Sequence, residues 1–208
     1  DHGWHLGDHS LWNKHSNFEQ ATRSPLIIYN PKVKKQVRVN SPTEFVDVFP
    51  TICEMANLDI PLNLDGTSLK PLTDGSDISP KAYAVSQWQS RNKTGYSFRT
   101  DQYRYTVWVT NKKSTDPIYK NDIYAEELYD YNLDPNETYN RTNDEDFLVI
   151  KNRFQKIAAT YFKRQLKESS SGMKAISDKS KLIIGATLNH HEINSEKGKL
   201  FLKDFNYL

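Results

Sequence analysis

The sequence is poor in cysteine. Its single Cys53 excludes an intramolecular disulfide framework and any zinc site built on thiolates. Cys53 stands with Phe49, Ile52 and Ala56 at helical spacing, which reads as a small core residue rather than a nucleophile. Charge of one sign is also lacking: 28 Lys and Arg against 26 Asp and Glu leave +2. That balance excludes a surface designed around nucleic acid or an anionic membrane. No apolar run approaches the roughly 20 residues that span a bilayer, and Asp1 to Gly7 has neither the basic nor the apolar region of a signal peptide. The initiator methionine is missing as well. The chain opens at Asp1 inside what reads as a site motif, so a fragment is expected. What is plentiful is aromatic: 12 Tyr, 9 Phe and 4 Trp in 208 residues argue for a folded chain with a real core.

Pro25-Leu26-Ile27-Ile28-Tyr29 is a short apolar run closed by Asn30-Pro31, the pattern of a buried strand in an α/β sheet. Ser41-Pro42-Thr43-Glu44 has the cap, first-turn proline and third-position Glu of a helix start, which predicts helix over 41–57, divided or reopened at Pro50. Asn63 to Pro80 has the Gly, Pro and Asp content of a boundary loop. Strand patterns follow over 82–88, 96–100, 103–109 and 127–131. Tyr103, Tyr105, Val107 and Val109 alternate with Arg104, Thr106 and Trp108, predicting a hairpin around Asp101-Gln102 with one buried face. On that reading Arg99 and Arg104 lie on a solvated face, within reach of a sugar carboxylate. Thr142 and Glu145 predict a capping box ahead of an apolar stripe through Phe147, Ile150, Phe154, Ile157, Ala158 and Tyr161, a helix over 144–166 across the hairpin. The predicted organisation is an α/β part over 1–78, a small antiparallel α+β subdomain over 79–166, a Ser-rich linker over 167–180 and a further module beginning at 181–208.

Four of the six histidines, His2, His5, His9 and His15, fall in the first 15 residues beside Asp1 and Asp8. A polar loop of hydrogen-bonded imidazoles accounts for any one of them. A metal site accounts for the cluster. His5 and His9 are spaced H-x-x-x-H without the Glu of the zinc-protease motif, so spacing leaves the metal open. Arg23 reads as a structural partner of Glu19. The triplets at Asn92, Asn136 and Asn140 fit the glycosylation sequon and mark surface loops.

The run Asp1-His2-Gly3-Trp4-His5-Leu6-Gly7-Asp8-His9-Ser10-Leu11-Trp12-Asn13-Lys14, with Ala21-Thr22-Arg23-Ser24-Pro25-Leu26-Ile27 after it, resembles the later half of the active site in type I sulfatases of the alkaline-phosphatase-like superfamily. It is most similar to their iduronate-2-sulfatase-like branch. The likeness continues through Phe45 to Thr51, Asp65 to Leu69, Tyr96 to Thr100, Tyr103 to Thr106 and Glu127 to Asp130, about residues 1–165 in all. It implies the C-terminal part of an alkaline-phosphatase-like α/β sandwich with a small antiparallel subdomain, acting on a sulfated sugar or polysaccharide. It implies Asp1 and His2 as metal ligands and Lys14 as the catalytic cation facing and binding the sulfate oxygens, while His5 either joins Lys14 in substrate binding or makes a hydrogen bond that supports the metal loop. The metal it implies is divalent, calcium first, although an imidazole ligand leaves room for manganese. The family's nucleophile is a formylglycine made within C/S-x-P/A-x-R, a motif absent here, so it is expected upstream and this chain alone is expected to be inactive. Two alternatives stay open: a phosphonate or phosphate ester hydrolase of the same superfamily, and a non-catalytic carbohydrate-binding relative. The resemblance also implies an exported protein, periplasmic, extracellular or lysosomal. The segment from Lys181 is similar, over some 28 residues, to the opening of xylanase-type (β/α)8 glycoside hydrolases, which implies a fused glycosidase module, and a terminal strand and helix docked on the preceding subdomain is the alternative.

Overall fold

The computed structural model describes residues 1–33, 36–76, 79–110 and 122–178, and the side chains of all but 165–178. The chain divides into two compact units, Asp1–Asn111 with Ile118–Ala159, and Lys112–Pro117 with Thr160–Leu208. The boundary expected after residue 78 and the module expected over 181–208, with its barrel-like opening, fall on residues outside the described set.

The first unit is built on a four-stranded antiparallel meander, β3 (Ala84–Ser90), β4 (Lys93–Arg99), β5 (Tyr103–Thr110) and β6 (Ile123–Asp130), in that spatial order. The β4–β5 turn is the two-residue Asp101-Gln102, closed by the Thr100 amide donating to the Tyr103 carbonyl at 2.8 Å. Because side chains alternate across a strand, the register Val85↔Phe98↔Tyr105↔Leu128 puts these four on one face, and Ser86↔Ser97↔Thr106↔Glu127 on the other. Helix α4 (Leu148–Asp178) covers the apolar face with its first turns. Phe154 stacks on Tyr105 with 5.6 Å between ring centroids, and Glu126 accepts from Gln155 at 2.7 Å and pairs with Lys151 at 3.2 Å. Burying Phe154 in this way contributes about 2–3 kcal/mol.

The opposite face is where the alternation argument stops short. It is not solvated: Arg104 is 2 % exposed and Thr106 is buried, under the N-terminal segment. A strand with both faces covered needs paired polar groups inward, and here they are paired across the interface described below.

That N-terminal segment holds the ribbon β1 (His5–Leu6) and β2 (Trp12–Asn13) and the single helical turn α1 (Glu19–Thr22). A 3₁₀ turn, Phe45–Asp47, leads into α2 (Val48–Met55), and α3 (Lys70–Thr73) follows. The helix predicted from Ser41 starts later, because Glu44 is the cap and closes a capping box with Asp47. Asp47 is buried, accepts from the Glu44 amide at 2.9 Å and the Thr67 amide at 2.8 Å, and pairs with Lys81 at 2.6 Å. Pro50 neither divides nor opens the helix. It lies in the first turn of α2, where no intrahelical bond needs its amide.

Three further expectations are corrected. Pro25–Tyr29 is not a buried strand: Ile27 is 90 % exposed, and the segment pairs with no strand among the described residues. A buried strand needs neighbours at its edges and layers on its faces, and nothing described in this unit supplies them. The Thr142–Glu145 capping box does not form, because Thr142 turns to the Glu126 carbonyl and Asp144 starts the 3₁₀ turn before α4. The helix also runs on to Asp178 through residues read as an irregular linker. Extending a nucleated helix gains one bond per residue fixed, and this carries the weak formers Ser169 to Gly172.

Candidate functional site

The first 22 residues form one strip. In the β1–β2 ribbon His5 lies opposite Asn13 and Leu6 opposite Trp12. The connection is tight: the Gly7 amide donates to the Leu11 carbonyl at 3.0 Å and the Leu11 amide to the Asp8 carbonyl at 2.9 Å. Gly7 takes φ 114°, which few residues other than glycine can adopt, while His9, Ser10 and Asn13 follow at 54°, 57° and 74°. So many left-handed residues in one loop store strain that the packing around it must hold.

The histidines do different work. His5 is fully buried inside the ribbon, its Nε2 2.7 Å from Ser16 Oγ and its Nδ1 3.5 Å from the Asp8 carboxylate. The Leu6 amide, donating at 3.2 Å, holds the Asp8 carboxyl below its usual range, and the neighbouring His5 ring acts the same way. His9 stacks flat on Phe18 with centroids 4.0 Å apart, and His15 stacks on Trp88 of β3 at 5.0 Å. His5 therefore braces the ribbon from within. The expectation that it touches substrate finds no exposed atom to act through.

Asp1 and His2 do come together. The Asp1 side chain is 86 % exposed, and its Oδ1 lies 3.6 Å from His2 Nε2. His2 Nδ1 sits 2.8 Å from the Gly3 carbonyl, an acceptor only. The ring proton consequently belongs on Nδ1, and the Nε2 lone pair faces the same space as the Asp1 carboxylate. One hard oxygen group and one borderline nitrogen on a shared front suit part of a divalent-cation site. No group of three or more His, Cys, Asp or Glu side chains among the described residues converges as a complete one. Lys14 is exposed, one residue beyond the ribbon. The ladder continued by one step would set it opposite Trp4, two residues along from His2.

The strip is pinned to the polar face of the sheet by charges that strand patterning does not reveal. Arg104 reaches out of β5 and donates to Glu19 at 2.5 Å, Glu137 at 2.5 Å, Ser97 at 3.1 Å and Thr22 at 3.2 Å. Glu137 is 2 % exposed, and its other oxygen accepts from the Glu19 backbone amide at 2.8 Å. Arg99 reaches Glu19 at 3.1 Å and lies over the Tyr131 ring at 3.7 Å. Glu19 therefore pairs with Arg104 and Arg99, and not with Arg23 as its sequence proximity suggested. Burial would raise the Glu19 carboxyl, but the Arg99 hydrogen bond and the Arg104 charge outweigh it and hold it below the usual range. Burial likewise disfavours the charged form of Arg104, and Tyr131, Glu137 and Glu19 more than restore it. Asn17 adds a neutral anchor, donating to the Gly95 carbonyl at 3.0 Å and accepting from Ser86 at 3.1 Å. Glu137 was missed because it follows Asp134-Pro135-Asn136 in what reads as an exposed turn. Its left-handed φ of 56° turns it inward, and no local pattern announces that.

A separate cleft of about 470 Å³ lies where Tyr83, Gln102 and Tyr103 meet Arg153, Phe154 and Ile157. None of the predicted site residues lines it. No helix among the described residues is long and apolar enough to cross a membrane.

Comparison with known proteins gives one consistent answer. The family described as N-sulphoglucosamine sulphohydrolase, C-terminal, matches residues 7–163. Mouse iduronate 2-sulfatase is 30 % identical over an alignment covering 69 % of this chain and 37 % of that protein. A Δ4,5-hexuronate-2-O-sulfatase of Bacteroides thetaiotaomicron is 29 % identical, over 72 % of this chain and 31 % of that one. A solved 2-O GAG sulfatase superposes with a TM-score of 0.65 at 26 % identity, over 82 % of this chain and 36 % of its own. The chain thus spans about a third of the length of the relatives it matches.

Proposed function

The chain belongs to the family of the N-sulphoglucosamine sulphohydrolase C-terminal region, and from that membership we propose that it is the C-terminal portion of a sulfuric ester hydrolase that removes sulfate from a sulfated sugar or polysaccharide. The observation that carries the reading is the shared front of Asp1 and His2, at the head of the strip on which the family match begins. Similar proteins named for hexuronate and GAG 2-O-sulfates favour a sulfated uronic acid as substrate.

In this reading Asp1 and the Nε2 of His2 hold a divalent cation, calcium by preference of the carboxylate, with the remaining donors supplied from outside these residues. When bound, the cation offsets negative charge on the sulfate and on the attacking oxygen. Lys14, a compact point charge on a flexible stem, faces the sulfate oxygens as charge builds on them. His5 keeps the ribbon closed so that Lys14 and His2 stay on one side of it. The attacking oxygen, from a hydrated formylglycine, comes from elsewhere: Cys53 is buried in α2 and followed by Glu54-Met55-Ala56. The same reading, from its sulfatase relatives, makes the protein an exported one.

The test is release of sulfate from a 2-O-sulfated hexuronate disaccharide by the protein encoded by the full gene. Chelation should abolish release, and Lys14→Ala should lower turnover by about 10²-fold or more, with the melting temperature unchanged. Wild-type turnover in Lys14→Ala removes Lys14 from the mechanism, and no sulfate release from any sulfated sugar removes the reading.

A further inference from the structure

We propose that Arg104 and Glu137, residues of the sheet side of the fold, are positioning residues that set the geometry of the Asp1–His2 front through Glu19 and α1. The inference rests on the sulfatase reading for what the front does, but its geometry is independent of that reading.

The path is continuous and short. Glu137 receives both the Arg104 guanidinium and the Glu19 backbone amide, so a single carboxylate fixes the first residue of α1 against β5. Arg104 then takes hold of the same helical turn twice more, at the Glu19 carboxylate and the Thr22 hydroxyl. At its other end α1 presents the Ala21 carbonyl, which accepts from the Gly3 amide at 2.9 Å. Gly3 is the residue after His2, and its own carbonyl takes the His2 ring proton. A Cβ on Gly3 would meet the Gln20 carbonyl oxygen at 1.9 Å, so the backbone of the front lies directly on α1. Moving α1 therefore moves Gly3, and moving Gly3 turns the His2 ring.

A four-residue helix has no stability of its own to resist such movement. Its own bonds are those of the Ala21, Thr22 and Arg23 amides to Phe18 and Glu19 carbonyls, one turn in all. What orders it is the buried cluster, in which every partner is charged or bonded to a charge. Such bonds are roughly twice as strong as neutral ones and depend on the fork geometry of Arg104. Glu137→Gln keeps the size but offers an amide that can no longer accept from all three of Arg104, Tyr131 and the Glu19 amide. Arg104→Lys keeps the charge and loses the fork.

The test is site-resolved amide hydrogen exchange on the 208-residue chain, with Mn²⁺ alone as a relaxation probe of the front. In Glu137→Gln, and separately in Arg104→Lys, the Glu19 and Gly3 amides should exchange about tenfold faster than in the wild type, while the Phe98 and Tyr105 amides of the β4–β5 ladder stay near wild type. Mn²⁺ should broaden the His2 ring signals of the wild type more than those of either variant. Unchanged exchange at Glu19 and Gly3 in both variants overturns the proposal. So does an equal rise at the ladder amides, the signature of a general loss of stability. Should Glu137→Gln fail to fold, Arg104→Lys and Glu19→Gln decide on the same amides. An absence of Mn²⁺ broadening at His2 in the wild type, with the exchange pattern as expected, sinks the metal assignment and leaves the positioning path standing.

Discussion

At Gly66 there is no room for a Cβ: one built on the backbone meets the Val46 carbonyl oxygen at 1.8 Å. The close approach follows from Asp47, whose carboxylate accepts from the Thr67 amide and draws the 65–69 loop onto the start of α2. Thr51 completes the attachment by accepting from the Leu69 amide at 2.8 Å. Gly66→Ala must open this junction, because both clashing groups are backbone, and it should cost about 2–3 kcal/mol, read as a lower urea midpoint at unchanged m-value. A midpoint equal to wild type would show that the loop is not held as described. Individual residues were legible in the sequence to very different degrees. Burial of Cys53 agrees with its reading as a core residue, but Phe49, Ile52 and Ala56, which shared its helical spacing, are exposed, and it is buried with Pro50 and Thr51 instead. His5 and Arg104 were not legible, because an imidazole or guanidinium inside a folded ribbon looks the same in sequence as one at its surface. Its distant partners, Glu19 85 residues and Glu137 33 residues away, are what mark Arg104 as interior.

Among the elements, the docking of α4 on the meander is the contact most open to measurement. Glu126 accepts from the Tyr105 hydroxyl at 2.5 Å and joins β5 to α4 through Gln155 and Lys151. Burial pushes its carboxyl up, and bonds from Tyr105, Gln155 and Lys151 overcome that and leave it below the usual 4.5. A carboxyl lowered in the fold stabilises above its unfolded value and loses that contribution as pH falls through the folded one. Glu19 acts in the same direction. Glu127, raised first by burial, acts in the opposite one, its contribution present in acid and lost as pH rises. With four lowered carboxyls, Asp8, Glu19, Glu126 and Asp134, against the raised Glu127, stability should fall as pH drops below about 4.5, and Glu126→Gln should flatten that fall in urea titrations between pH 5 and 3. An equally steep fall in the variant would take Glu126 out of the acid response. Phe154→Ala, at the centre of the same contact, should cost about 3–5 kcal/mol through the cavity it leaves. A loss below 1 kcal/mol would mean α4 is held elsewhere. The strands, the Asp101-Gln102 turn and the core stripe of α4 were readable because period-2 and period-3.6 patterns are local. The start of α2 was misread because Ser41-Pro42-Thr43-Glu44 carries a cap signature that tertiary pairing of Asp47 with Thr67 and Lys81 overrides.

Taken whole, the first unit is finished on one side and open on the other. The meander, α4 and the pinned strip bury their apolar and charged groups, yet Leu26, Ile27 and Tyr29 lie exposed, and so do Phe49, Ile52, Leu58 and Leu62 along and after α2. The sequence foresaw an α/β layer here from the same residues, and the apolar pattern it rested on is present. Among the described residues no surface covers it. Since the chain spans about a third of each relative's length, the prediction at this scale concerns the 208 residues by themselves. An extended apolar run with free backbone donors and acceptors recruits other chains. Apolar patches beyond a few hundred Å² on a monomer behave likewise. Purified as it stands, the chain should sediment as concentration-dependent oligomers, and Ile27→Lys with Ile52→Lys should shift it toward monomer without unfolding the meander. It should also release no sulfate from an aryl sulfate above buffer, with or without Ca²⁺ or Mn²⁺, because Asp1 and His2 are two donors where calcium takes six to eight. A monodisperse monomer at all concentrations would show that the exposed face needs no cover. Metal-dependent sulfate release by this chain would place the nucleophile within these 208 residues and overturn the division of labour proposed for it.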